Sequence, residues 1–155
     1  MRSKRFLQNK KGEELKKTFL IIISIIMFIN VSMPLFSQDN QLSAKVIAYY
    51  FHGSFRCYTC TNMEKFSREA MEKNFKDALV SGKLEFKAVN VEDRGNEHFV
   101  DDYKLYTKSL IVSLVKDGKE VKSKNLDKIW ELAHNKDKFI DYVTAEVGEF
   151  IKEVK

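Results

Sequence analysis

Cys57 and Cys60 are the only two cysteines in a chain of 155 residues, and they stand three positions apart in the run Cys57-Tyr58-Thr59-Cys60. Two thiols at that spacing suit reversible dithiol–disulfide exchange, in which one sulfur attacks as a thiolate and the second, about one helical turn on, resolves the mixed disulfide. A purely stabilising bridge is the poorer reading, since closing so short a loop removes little entropy from the unfolded chain. A zinc site normally takes four ligands, so the pair would have to recruit His52 or a second subunit.

The flanking residues supply the elements that must hold these sulfurs. Val46-Ile47-Ala48-Tyr49-Tyr50-Phe51 is β-branched and aromatic and reads as a strand, while Met63, Phe66, Ala70, Phe75 and Leu79 recur near helical spacing, predicting a helix over about 60–80. Cys57 then lies at or just before the first helical turn, where unpaired backbone N–H groups and the helix dipole favour a thiolate, and Cys60 faces inward. Arg56 is either a second influence lowering the Cys57 pKa by opposite charge or a solvent-facing loop residue. His52, five residues before Cys57, is within range of a proton exchange, although a lone histidine at a strand end is more often structural. Tyr49, Tyr50, Phe51 and Phe55 are read as core and rim packing.

The N-terminus reads as a targeting segment. Seven basic residues and two acidic ones precede residue 18, and residues 19–29 are apolar except for Ser24, a basic n-region followed by an h-region. The apolar run meets Asn30, Ser32 and Pro34 after 11 residues, shorter than the about 20 a spanning helix needs. Residues 1–37 are therefore expected to be a signal peptide cut after Ser37, or a signal anchor held in the membrane by residues 19–36, and residues 38–155 one extracytoplasmic domain, periplasmic or secreted. No cysteine stands near the h-region, which leaves a lipoprotein anchor without its attachment point. The net charge of +5 belongs to this segment, because the remainder carries 20 basic and 20 acidic residues. A formally neutral domain argues against nucleic acid as a partner.

Beyond the first helix, Ser81-Gly82 is a stop signal and residues 84–91 alternate with strand period. Strand, helix and strand predict a parallel βαβ unit. Residues 92–96 read as a loop, and Phe99, Val100, Tyr103 and Tyr106 as the stripe of a second helix with His98 on its surface. Leu110-Ile111-Val112-Ser113-Leu114-Val115 predicts another strand, and Asp117-Gly118 a tight hairpin into residues 119–122. Leu126, Ile129, Trp130 and Leu132 suggest a short helical turn. Phe139, Ile140, Val143, Val147, Phe150 and Ile151 mark a closing amphipathic helix.

This order, with a Cys-x-x-Cys opening the first helix, resembles the thioredoxin-like superfamily over essentially all of residues 38–155. The resemblance implies a three-layer α/β/α sandwich on a mixed sheet of four to five strands. It also implies catalytic roles for Cys57 and Cys60 and modulation of redox potential by the intervening Tyr58 and Thr59. The family's cis-proline position falls at Leu110, after Ser109. A non-proline cis bond costs about 2.5–4 kcal/mol, so a trans bond is expected there, with weaker backbone capture of an extended substrate. The family's buried aspartate is matched by Phe51 or His52, leaving Glu92 or Asp93 as candidate proton carriers. More narrowly, Tyr50-Phe51-His52-Gly53, Arg56-Cys57-Tyr58-Thr59-Cys60, Asn90-Val91-Glu92 and Trp130 resemble the ArsF family, labelled nitrophenyl compound nitroreductase subunit. No Gly-rich turn of a flavin or nicotinamide site accompanies that label.

The leading expectation is an extracytoplasmic thiol–disulfide oxidoreductase exchanging disulfides with a protein partner. It needs no cofactor beyond the Cys57–Cys60 disulfide, and a membrane thiol carrier is the candidate electron source if it reduces. Membrane contact is confined to the N-terminal segment if that is uncleaved. The alternatives are a module in which Cys57 and Cys60 bind a soft metal or share an iron–sulfur cluster, and an auxiliary subunit of a nitro- or arsenic-handling reductase system.

Overall fold

β-Branched and aromatic residues in alternation place the first strand, β1 (Ala44–His52), at the centre of the sheet in the computed structural model, which describes residues 44–154. The expected signal or anchor segment, residues 1–37, lies outside the described residues. After β1 follow α1 (Tyr58–Asn74), α2 (Lys76–Val80), β2 (Leu84–Asn90), α3 (His98–Asp102), β3 (Ser109–Lys116), β4 (Lys119–Asn125), α4 (Ile129–Leu132) and α5 (Lys136–Ile151).

The four strands lie in the order β2-β1-β3-β4. β1 and β2 run parallel through the expected crossover, whereas β3 is antiparallel to both β1 and β4. Register decides the two faces. Val46, Ala48 and Tyr50 pair with Leu114, Val112 and Leu110 and share one face with the helices. Ile47, Tyr49 and Phe51 pair with Ser113, Ile111 and Ser109 on the other. α1 buries Cys60, Met63, Ser67, Ala70 and Met71, and α5 buries Phe139, Val143, Val147 and Phe150, both at helical spacing, so the two helices close the first face together. The second face carries α3, whose Phe99 stands 5.1 Å from Phe51 and 5.9 Å from Tyr49 between ring centroids. The result is the expected three-layer sandwich on a mixed sheet, with four strands.

Three local predictions are corrected. The helix expected over 60–80 is two helices, broken at Phe75, which leaves the helical region (φ −133°, ψ 31°) and packs against the core while α2 turns to follow β2. The second helix stops at Asp102, because the left-handed Lys104 (φ 52°) turns the chain and leaves Tyr106, predicted on the buried stripe, 94 % exposed. β4 runs to Asn125, past the predicted four residues. The Asp117-Gly118 turn is as predicted: both residues have positive φ (50° and 76°), the backbone a two-residue hairpin needs to match strand twist.

Candidate functional site

β1 delivers the chain to the dithiol and α1 receives it. Cys57 caps α1 with extended backbone (φ −82°, ψ 164°), and its Sγ accepts the backbone N–H of Cys60 at 3.1 Å. A side chain at this position satisfies one of the orphan donors of the first turn, here with sulfur in place of the usual oxygen. Thr61 adds its N–H and hydroxyl to the Cys57 carbonyl, at 3.0 and 3.2 Å. Cys57 is partly exposed and Cys60 only 2 % exposed, and the two are joined as a disulfide with Cα atoms 5.0 Å apart. In the reduced state the same N–H and the positive end of a 17-residue helix face the Cys57 sulfur and favour its thiolate.

The expected modulators are distributed around this pair. Tyr58 is 83 % exposed and faces outward, whereas Thr59 is partly buried. Arg56 forms an ion pair with Glu64 of α1, which offsets the field of its guanidinium at the sulfur. His52 bonds its own neighbour, Nδ1 to the Gly53 carbonyl at 2.9 Å. Leu110 lies fully buried opposite Tyr50, and no cis peptide bond occurs among the described residues, so Ser109–Leu110 is trans as expected. Of the candidate proton carriers, Asp93 accepts the Asn90 side-chain amide at 2.8 Å. Glu92 accepts the Ser54 N–H at 3.1 Å, and its bonds from Ser54, with Lys108 and His52 nearby, hold its carboxyl below the usual range.

Two residues matter here that pattern reading assigned to packing or did not use. Tyr50, with no exposed surface, donates its hydroxyl to the Cys60 carbonyl at 2.7 Å, tying β1 to the first turn of α1. Burial pushes its pKa up to about 12. The available signal was the tyrosine itself, because a buried phenol must find a partner. Trp130 of α4 donates its indole N–H to the Lys108 carbonyl at 2.9 Å and so fastens the segment entering β3. Phe55, expected at the rim, is 77 % exposed, with the Lys108 ammonium 6.0 Å from its ring centre. Phe55, Tyr58, Tyr106 and Trp130 are the exposed large aromatic residues among those described. No group of three or more histidine, cysteine, aspartate or glutamate residues gathers into a metal-holding cluster among the described residues, so a metal on Cys57 and Cys60 would need ligands from elsewhere.

No family model matches the chain, and no curated protein sequence matches it. Among solved structures, it is similar to a thioredoxin from Fasciola hepatica (20 % identity, 75 % of this chain and 86 % of that one, TM-score 0.39). A thioredoxin pre-protein from Schistosoma mansoni is comparable, at 19 % identity over 64 % of this chain and 84 % of that one, TM-score 0.39. Thioredoxin O2 from Arabidopsis thaliana shares 12 % over 61 % and 74 %, TM-score 0.38. Element order, strand order and the position of the Cys57–Cys60 disulfide give the described residues a thioredoxin-like α/β fold.

Proposed function

We propose that the protein is an extracytoplasmic thiol–disulfide oxidoreductase acting on a protein partner. The observation that carries this reading is Cys57 at the cap of α1, partly exposed, with the Cys60 N–H on its sulfur and Cys60 buried behind it. As a reductant, the Cys57 thiolate attacks one sulfur of the partner disulfide, forming a mixed disulfide and releasing the partner's other sulfur as a thiolate. The Cys60 thiolate then attacks Cys57 Sγ, closing Cys57–Cys60 and releasing the second partner thiolate. As an oxidant the same steps run in reverse. Arg56, His52, Tyr58, Thr59 and Leu110 act through the sulfurs, as neighbours that set their potential, and none is assigned a proton.

Location outside the cytoplasm is supported by the basic and apolar composition of residues 1–37. A reductant there needs an electron source, for which a membrane thiol carrier is the candidate. The ArsF kinship, and a place beside a nitro- or arsenic-handling reductase, is supported by the quoted residue set alone.

Equilibrating the chain with glutathione or dithiothreitol and counting free thiols tests the reading. A defined two-electron couple is expected, near or below about −250 mV for a reductant and near −120 mV for an oxidant. Absence of any such couple, with metal retained through purification, would replace the oxidoreductase with the metal-binding module. Cys60→Ser should trap a Cys57 mixed disulfide, and Cys57→Ser should form none.

A further inference from the structure

A cleft of about 160 Å³ opens between the C-terminal ends of β1 and β2 and the segment entering β3. Val91, Val100 and Leu105 give it apolar walls, and Glu92, Lys108 and His52 line its polar part. It adjoins the approach to the dithiol: Ser54, three residues before Cys57, donates to Glu92, and Lys108 reaches over Phe55. Sites for cofactors and drug-sized ligands occupy about 300–1,000 Å³, so this cleft suits a group the size of one side chain.

Gly53 lies directly against Glu92. A Cβ there would collide with the Glu92 carboxylate, whereas the glycine lets that carboxylate settle against the backbone. Glu92 Oε2 accepts the Ser54 N–H, and Glu92 has no ion-pair partner among the described residues. The one ammonium lining the cleft, that of Lys108, stands 6.0 Å from the Phe55 ring centre and near Glu92, with which it forms no ion pair. A carboxylate whose Oε1, set against Gly53, accepts no hydrogen bond among the described residues, beside apolar side chains, fits a long aliphatic stem ending in a cation.

We infer that this cleft is a specificity subsite for a lysine or arginine side chain of the protein disulfide substrate, its stem on Val91 and Leu105 and its charged head on Glu92. The inference rests on the oxidoreductase reading and names the substrate class for that same site.

The test uses the reduced full chain and three cystine peptides, identical except for lysine, norleucine or glutamate at a position close to the attacked sulfur. Single-turnover rates of mixed-disulfide formation are compared at low salt. We expect lysine to exceed norleucine by about threefold to fivefold, the scale of an exposed ion pair, with glutamate slowest. The lysine-to-norleucine ratio should fall to about one in Glu92→Gln and below one in Glu92→Lys. Gly53→Ala, which displaces the carboxylate, should lower it in part. Equal rates for the three peptides, faster glutamate, or a ratio that Glu92→Gln leaves unchanged would overturn the subsite. If no peptide exchanges at all, the oxidoreductase reading has failed, and the subsite is judged by amide shifts at Gly53 and Ser54. Those shifts should appear with the lysine peptide carrying serine for cysteine and not with its norleucine counterpart, and equal shifts from both would sink it.

Discussion

The two faces of the sheet are built from different materials. On one, α1 and α5 meet over Tyr50, Leu110, Val112, Phe139 and Val143, residues with no exposed surface. On the other, a five-residue helix covers an aromatic row of Tyr49, Phe51, Phe99 and Tyr103, and the ring of Phe99 is only partly buried. Polar pins do part of the holding there: Tyr103 and the buried Ser113 both donate to Glu120 Oε2 at 2.5 Å. Close-packed helices thus secure α1, whose first turn carries the sulfurs, while the thinner layer leaves room for a cleft. Rigidity and access are divided between the faces.

Mutation at matched aromatic positions should expose this division most plainly. Phe139→Ala, which empties a site packed edge-on against Phe66 at 5.6 Å, should cost about 3–5 kcal/mol in denaturant melts. Phe99→Ala should cost about 1 kcal/mol. Equal losses would mean the faces contribute alike.

Alkali should strain both faces through their tyrosines. Burial raises the pKa of Tyr50 to about 12, and that of Tyr103, also bonded to Glu120, higher still. The native state keeps these protons after the unfolded chain has lost them, so this contribution is complete below about pH 10 and falls away as pH rises through 12. Melting temperatures from pH 9 to 12 should decline, and Tyr50→Phe should flatten the decline. If the slope is unchanged in that variant, Tyr50 is not the group responsible.

At neutral pH, Tyr50→Phe removes a single hydrogen bond to the Cys60 carbonyl and should cost about 1 kcal/mol, the usual worth of one such bond. The smallest effect is expected on the exposed rim of the helical face. There Glu69 links α1 to α5 through Lys136 at 2.8 Å and also meets Lys73 at 2.6 Å. These partners lower its pKa to about 2, so its contribution is present above about pH 4.5 and is lost as pH falls toward 2. Glu69→Gln should therefore reduce the acid sensitivity of the melt slightly, and added salt should mask the difference.

Legibility followed the reach of the interactions. The cap position of Cys57, the inward turn of Cys60, the strand before them and the Asp117-Gly118 hairpin all depend on neighbours within a few residues, and each was read from type and spacing. The break at Phe75 and the early stop at Asp102 were not, because each residue has an acceptable helical pattern and only packing against the sheet or the turn at Lys104 ends the helix. Arg56 reads from sequence as either a neighbour acting on Cys57 or a solvent-facing loop residue, and Glu64, eight positions on, takes its charge.

Sequence by itself determined the dithiol, its place between a buried strand and a helix, and the order of elements that makes the sheet, since periodicity and capping act locally along the chain. Tertiary structure alone decided that Tyr50 reaches the Cys60 carbonyl, that Trp130 holds Lys108, and that Gly53 and Glu92 share a cleft. Those partners lie 10, 22 and 39 positions apart. Only the strand register and the burial of both sheet faces bring such groups within bonding distance.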